Sequence, residues 1–526
     1  MKRITCVKGE RSNVKPECAA ALPGAAARAG NFRGGSFAGI LPGPMRLSLL
    51  ALLFACASGS AAPPRSLALA PCRLKGSAWP AQCGTLRVPE DRARPAGRQL
   101  ELRVAVVPAL AREPAPDPLF LLAGGPGQAA TEALGPLLGA FERLHRTRDL
   151  VLVDQRGTGA SHALRCDLSN PAAALAERLA PDSLREEKFR KCLAGYDADP
   201  RFYTTSIAMQ DLDAVRAALG ADQIDLWGGS YGTRAALVYL REHAAHTRAV
   251  VLDGVAPVEL KLPVSFARDA QRALDLLFDH CAAEPSCNAA FPELRRQFAT
   301  LLAELANKPA QARVQDPLTG APADVAISRD VFAAGLRGVL YQQDFASLAP
   351  LIVGRAAHGD FAPFIAATAG LDDGFSRSVS FGMMFSVVCS EDLPGVTGAD
   401  IDEAAKGTFL GPALARDFLK VCAFWPRGAL PPRFHQPVQS DKPVLLLSGE
   451  LDPATPPRWA DLARATLPNS LHLIVPGVGH GATAEGCVPQ LIAQFVDKAS
   501  VKGLDPACLA PLRRPPFFTS FAGPPP

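Results

Sequence analysis

Three side chains whose types can carry acyl-transfer chemistry follow apolar runs of this chain: Ser230 in "IDLWGGSYG", Asp452 in "PVLLLSGELD" and His480 in "LHLIVPGVGH". A serine hydroxyl is a poor nucleophile near neutral pH, so it needs a base to take its proton and a group to orient that base. Histidine and aspartate supply those two roles. Gly228, Gly229, Ser230, Tyr231 and Gly232 fit Gly-x-Ser-x-Gly, a sharp strand-to-helix turn that holds the serine in a strained backbone with its oxygen exposed. Bulkier neighbours would collide with the adjacent strand and helix. Asp253 is the rival acid and Glu450 a weaker one.

Acyl transfer also builds negative charge on the carbonyl oxygen, which preorganised backbone N–H groups must meet. The loop "LLAGGPGQ" lets the backbone approach a substrate, and Pro126 fixes its turn without donating. The expected donors are the N–H groups of Gly125 and Tyr231.

Elements must bring these residues together. Short Val- and Leu-rich runs ("LELRVAVV", "PLFLLAGG", "LVLVDQRG", "IDLWGGS", "RAVVLDGV", "PVLLLSGELD", "LHLIVPGVGH") alternate with helix-length segments. That rhythm predicts a mostly parallel sheet covered on both faces. Ala208, Leu212, Val215 and Leu219 recur at helical spacing before Gly220, which predicts a crossover helix. Between Asp253 and about Pro443 helical patterns take over, with Ala270, Leu274, Leu277 and Cys281 on one stripe. A helical block inserted late in such a sheet is expected over the carboxyl ends of the strands, where ligands bind. Ser…Asp…His is the chain order of α/β-hydrolases, and the fold class expected is α/β-hydrolase with a large helical cap.

The stretches "GGPG" (124–127), "DQRGTGAS" (154–161), "GGSYG" and "GELDPATPP…GVGHG" resemble the proline iminopeptidase and tripeptidyl aminopeptidase group of α/β-hydrolases over roughly residues 70–510. The closing segment from Pro443 through Cys487 is more similar to tripeptidyl aminopeptidases. Ala123 departs from the group, whose iminopeptidase loop carries His there, and the change touches loop packing rather than the donors. The resemblance implies exported peptidases that remove short peptides from a free N-terminus, with Ser230, Asp452 and His480 in the roles above and neither metal nor organic cofactor. Such an enzyme must bind an ammonium group, and "VVCSEDLPG" offers Glu391 and Asp392. Asp154 and Arg156 are read as braces at the sheet edge.

Composition restricts the alternatives. The formal charge is +4, but the first 62 residues hold eight basic and two acidic side chains, leaving 47 basic against 49 acidic. The folded part carries no basic stripe, which argues against nucleic acid as a partner. From Met45 the sequence "MRLSLLALLFACASGSAAPP" has the pattern of a secretory signal, and its apolar run is well short of the roughly 20 residues of a transmembrane helix. A lipid-modified Cys56 is disfavoured by the bulk of Phe54. Ten cysteines beyond the leader agree with export. Sequence alone leaves their connectivity open, and the shortest loops give Cys72–Cys83, Cys166–Cys192, Cys281–Cys287, Cys389–Cys422 and Cys487–Cys508. His243 and His246 are read as a solvated helix face rather than metal ligands.

The expected layout is a spurious or disordered extension (1–44), a signal peptide (45–62), the first part of the hydrolase core (63–257), a helical cap (258–435), the rest of the core (436–510) and a Pro-rich tail (511–526). The expected function is an exported periplasmic or secreted serine aminopeptidase acting on peptides with a free N-terminus. An exported carboxylesterase or amide hydrolase with the same triad, and a silent binding protein on the same scaffold, are the alternatives.

Overall fold

The computed structural model describes residues 67–166, 175–179 and 186–524. The expected extension and the signal segment, with Met45 and Cys56, lie outside the described residues.

Eleven strands are found among the described residues: β1 (Ala70–Arg73), β2 (Pro80–Pro89), β3 (Gln99–Val107), β4 (Leu119–Leu122), β5 (Leu150–Val153), β6 (Ile224–Gly229), β7 (Thr247–Asp253), β8 (Ala310–Gln315), β9 (Pro322–Ile327), β10 (Val444–Gly449) and β11 (Ser470–Val475). Nine form one sheet in the order β1-β2-β3-β5-β4-β6-β7-β10-β11. The pairings from β5 through β4, β6, β7 and β10 to β11 are parallel, and β1, β2 and β3 join as antiparallel neighbours.

Burial on both faces explains the unbroken apolar runs. In β4, Phe120 and Leu122 enter one apolar core while Leu119 and Leu121 enter the core on the opposite face. The crossover helix Thr205–Ala218 turns Ala208, Leu212 and Val215 onto the sheet, and Gly220 leaves it at φ 75°. Helix Tyr231–Glu242 follows β6 directly and is almost wholly buried.

Between β7 and β10 the chain builds an apolar core of its own, with Ala270, Leu274, Leu277 and Cys281 of helix Phe266–Ala283 inside it. The antiparallel pair β8–β9 also packs there, which the sequence reading did not anticipate. Only Val314, Val325 and Ile327 of those two strands are buried, so the polar, half-exposed pair lacks the long apolar runs of the main sheet. Among the described residues, five disulfides join Cys72–Cys83, Cys166–Cys192, Cys281–Cys287, Cys389–Cys422 and Cys487–Cys508. Among the described residues no helix is long and apolar enough to cross a membrane.

Candidate active site

The turn after β6 is forced by contact. A Cβ on Gly228 would fall on the Gly232 carbonyl, and a Cβ on Gly232 would fall on the Leu122 carbonyl of β4. Ser230 sits between them at φ 55°, ψ −123°, a region that costs a non-glycine residue on the order of 1–3 kcal/mol. Its N–H donates to the Asp253 carbonyl at 2.8 Å, which holds the turn to the end of β7. The Ser230 hydroxyl does not cap its own helix.

Asp253 also holds the loop that carries the histidine. Its carboxylate accepts the N–H of Ala482 (2.9 Å), the N–H of Thr483 (2.8 Å) and the Thr483 hydroxyl (2.6 Å). A Cβ on the next residue, Gly254, would stand 3.2 Å from Cε1 of His480. The imidazole therefore lies against the backbone that fixes Ser230. Trp227 of β6 adds a second tie, donating from Nε1 to Thr483 Oγ1 at 2.9 Å.

Asp452, not Asp253 or Glu450, meets the ring. Asp452 Oδ2 lies 2.8 Å from His480 Nδ1, and the carboxylate is oriented by the N–H groups of Ala454 and Thr455 and by the Thr455 hydroxyl, each at 2.8 Å. Glu450 accepts the N–H of Gly477 instead. With Nδ1 engaged, Nε2 is the ring nitrogen left to take a proton. Sequence reading missed Tyr341, whose carbonyl accepts the His480 N–H at 2.7 Å and whose ring packs edge-on to the imidazole at 5.1 Å. Nothing in "GVLYQQ" marks that contact, because it depends on tertiary packing.

Burial would lower the His480 pKa, but the Asp452 charge and hydrogen bond outweigh it, so the imidazole titrates above 6.5. Burial likewise favours a neutral Asp452, and the imidazolium beside it with the hydrogen bonds of Thr455 and Ala454 holds it below 3.8. A base works only when neutral, so the acid limb of kcat/KM is expected above the ordinary histidine value of about 6.5. A limb at or below that value would show that His480 is not the base. The linkage has the matching sign: the stability contributed by the raised His480 pKa is complete below the unfolded value and fades as pH rises through the folded one.

The N–H groups of Gly125 and Tyr231 have no hydrogen-bond partner among the described residues. A Cβ on the neighbouring Gly124 would stand 3.1 Å from the Ser230 Cβ, so the loop runs directly past Ser230. The segment after helix Ala362–Ser378 closes on the same loop, with the Ser380 N–H donating to the Gly127 carbonyl at 2.8 Å and Gln128 bridging to Val379.

Glu391 and Asp392 require a correction: they do not stand on an open cleft wall. Each is 1% exposed, in the π-helical turn Val388–Asp392. Glu391 accepts the Thr205 N–H (2.6 Å) and Thr205 hydroxyl (2.8 Å), and that hydroxyl also bonds the Tyr231 hydroxyl at 2.7 Å. Asp392 pairs with the fully buried Arg234 at 2.9 Å. Burial pushes Glu391 up to about 7 against the Arg234 charge and the Thr205 bonds. This network braces the helix that begins at Tyr231. Glu391→Gln puts an amide against donors, and is expected to cost about 1–3 kcal/mol of stability in denaturant unfolding. It should lower kcat for free-amine and capped substrates alike. A rise in KM confined to free-amine peptides would restore the ammonium role.

Two further constellations differ from the one at Ser230. Ser448 Oγ lies 3.0 Å from His472 Nε2, whose Nδ1 lies 2.9 Å from Asp461, yet Ser448 is 0% exposed inside β10 and can meet no substrate. Asp213 brings His243 and His246 together, a partner that sequence spacing could not show. Arg216, Tyr239 and His246 already surround that carboxylate at 2.7–2.9 Å, so its charge is neutralised without an ion. Asp154 and Arg156 are braces: Asp154 accepts from Thr131 and Ala160, and Arg156 forks onto Asp211.

The TAP-like protein family matches residues 407–508, the part that holds Asp452 and His480. Serine protease Hip1 of Mycobacterium tuberculosis is 29% identical over 474 residues, covering 79% of this chain and 85% of that protein. The tripeptidyl aminopeptidase of Streptomyces lividans is 30% identical over 190 residues, covering 34% of this chain and 35% of its own. A solved proline iminopeptidase of Mycobacterium smegmatis aligns with 79% of this chain and 98% of its own at 17% identity and a TM-score of 0.35. With a serine elbow on a nine-stranded, mostly parallel sheet, and with these relatives, the chain is a serine hydrolase of the α/β-hydrolase fold, similar to serine protease Hip1 over most of its length and to the TAP-like proteins in its C-terminal part.

Proposed function

We propose that this protein is an exported serine peptidase that releases short peptides or single residues from free N-termini through an acyl-enzyme. The observation that carries the reading is the mounting of Ser230 and the His480 loop on one residue, Asp253, with Asp452 on Nδ1 of His480. In the proposed cycle, Ser230 Oγ attacks the peptide carbonyl and passes its proton to His480 Nε2. The N–H groups of Gly125 and Tyr231 receive the oxyanion. His480 then protonates the departing amine, and water repeats the sequence on the acyl-enzyme.

The peptide substrate is supported by what the relatives are called, a serine protease and a tripeptidyl aminopeptidase. Export is supported by five disulfides, which persist in oxidising compartments, and by the signal pattern from Met45. A panel of chromogenic substrates with one, two or three residues, each with a free or capped amine, tests the reading. Turnover is expected for free-amine peptides above their capped forms. Cleavage of acyl esters alone would make the protein an esterase.

A further inference from the structure

Next to the Tyr341 ring that packs on His480 lies a guanidinium with no acidic partner among the described residues. Arg337, on helix Arg329–Leu340, is half-buried and makes no ion pair among the described residues. It stacks over the Phe266 ring at 4.2 Å and the Tyr341 ring at 4.9 Å, and donates from Nη2 to the Tyr341 hydroxyl at 2.5 Å. Its Nε is buried without a partner. The same Tyr341 ring packs on His480 at 5.1 Å, so the cation is one aromatic ring away from the proposed base.

A cation held there has two consequences. It opposes protonation of His480, which is the charge that base must acquire when Ser230 attacks. A half-buried guanidinium is also poorly hydrated, and its planar fork matches a carboxylate. Both unfavourable features vanish if the substrate brings a carboxylate. His480 faces the leaving group in any acyl transfer it assists, so that carboxylate must sit on the leaving side of the scissile bond.

We infer that Arg337, framed by Phe266 and Tyr341, is a leaving-side subsite for a substrate carboxylate. The carboxylate can belong to an acidic residue just after the scissile bond or to the free end of a short leaving fragment. This inference rests on Ser230 and His480 carrying the acyl transfer, and it needs only a leaving group, whether amine or alcohol.

Three tripeptidyl substrates with one acyl part and different leaving residues test it: asparagine amide, aspartate amide, and asparagine with a free carboxylate. For the wild type, kcat/KM is expected to be at least about tenfold higher for one or both carboxylate-bearing substrates than for the neutral one. Which of the two gains tells side chain from chain end. In Arg337→Met the ratio should fall to about one, and in Arg337→Lys, which keeps the charge and loses the fork, to an intermediate value. A wild-type ratio near one, or a ratio unchanged in Arg337→Met, overturns the subsite. Fluorophosphonate labelling reports whether each variant is folded; if neither is labelled, the wild-type ratio alone decides. A parallel pair of phenyl esters, with a carboxylate or a carboxamide on the leaving phenol, separates the two readings. Ester turnover without peptide turnover would sink the peptidase reading, and the ester ratio would still decide the subsite.

Discussion

Ser230→Ala is expected to abolish turnover, with kcat falling on the order of 10⁶-fold, and to abolish labelling by a fluorophosphonate. The size follows from the chemistry, because no other hydroxyl of the described site is held on a strained turn beside unpartnered backbone N–H groups. Ser448 also has its histidine and aspartate, but it is sealed inside β10. Labelling that survives Ser230→Ala would move the nucleophile elsewhere and undo the mechanism. The substitution should leave thermal unfolding close to wild type, since alanine keeps the Cβ at φ 55° and the N–H bond to the Asp253 carbonyl.

Asp452→Asn is expected to lower kcat on the order of 10⁴-fold with little change in KM. The carboxylate fixes the tautomer in which His480 Nδ1 donates and Nε2 accepts, and it stabilises the imidazolium. An amide of the same shape can present its NH₂ to Nδ1, leaving the proton on the wrong nitrogen. Loss of the charge should also bring the acid limb of the pH profile down from its raised position, because Asp452 is what overcomes the effect of burial on His480. Activity near wild type would mean that another acid orients the base. Asp253 is poorly placed for that, since its oxygens are taken by Ala482 and Thr483.

The contrast between the two aspartates shows what the chain reveals by itself. Both end apolar runs on the same side of the sheet, so type and spacing made them rivals. Chain order favoured Asp452, and its 2.8 Å contact with His480 Nδ1 is what separates it from Asp253. The parallel strands were legible because burial on both faces writes itself as unbroken Val and Leu runs. Strands β1, β2, β8 and β9 alternate or sit half-exposed, and their pattern is diluted by polar residues. Glu391 and Asp392 read as an anchor for a substrate ammonium because nothing beside them in the sequence supplies an internal cation; Arg234, more than 150 positions earlier, pairs with both in the interior. Tyr341 and Arg337 carried no signal, as neither belongs to a motif and both matter only through the ring they share with His480.

Among its contacts with the sheet domain, the segment between β7 and β10 holds two loops that flank Ser230. Ser380 holds the Gly127 carbonyl, and Tyr341 holds the His480 amide. A hinge that swung this segment away would have to break both bonds at once, freeing the 124–127 loop and the His480 loop in a single movement.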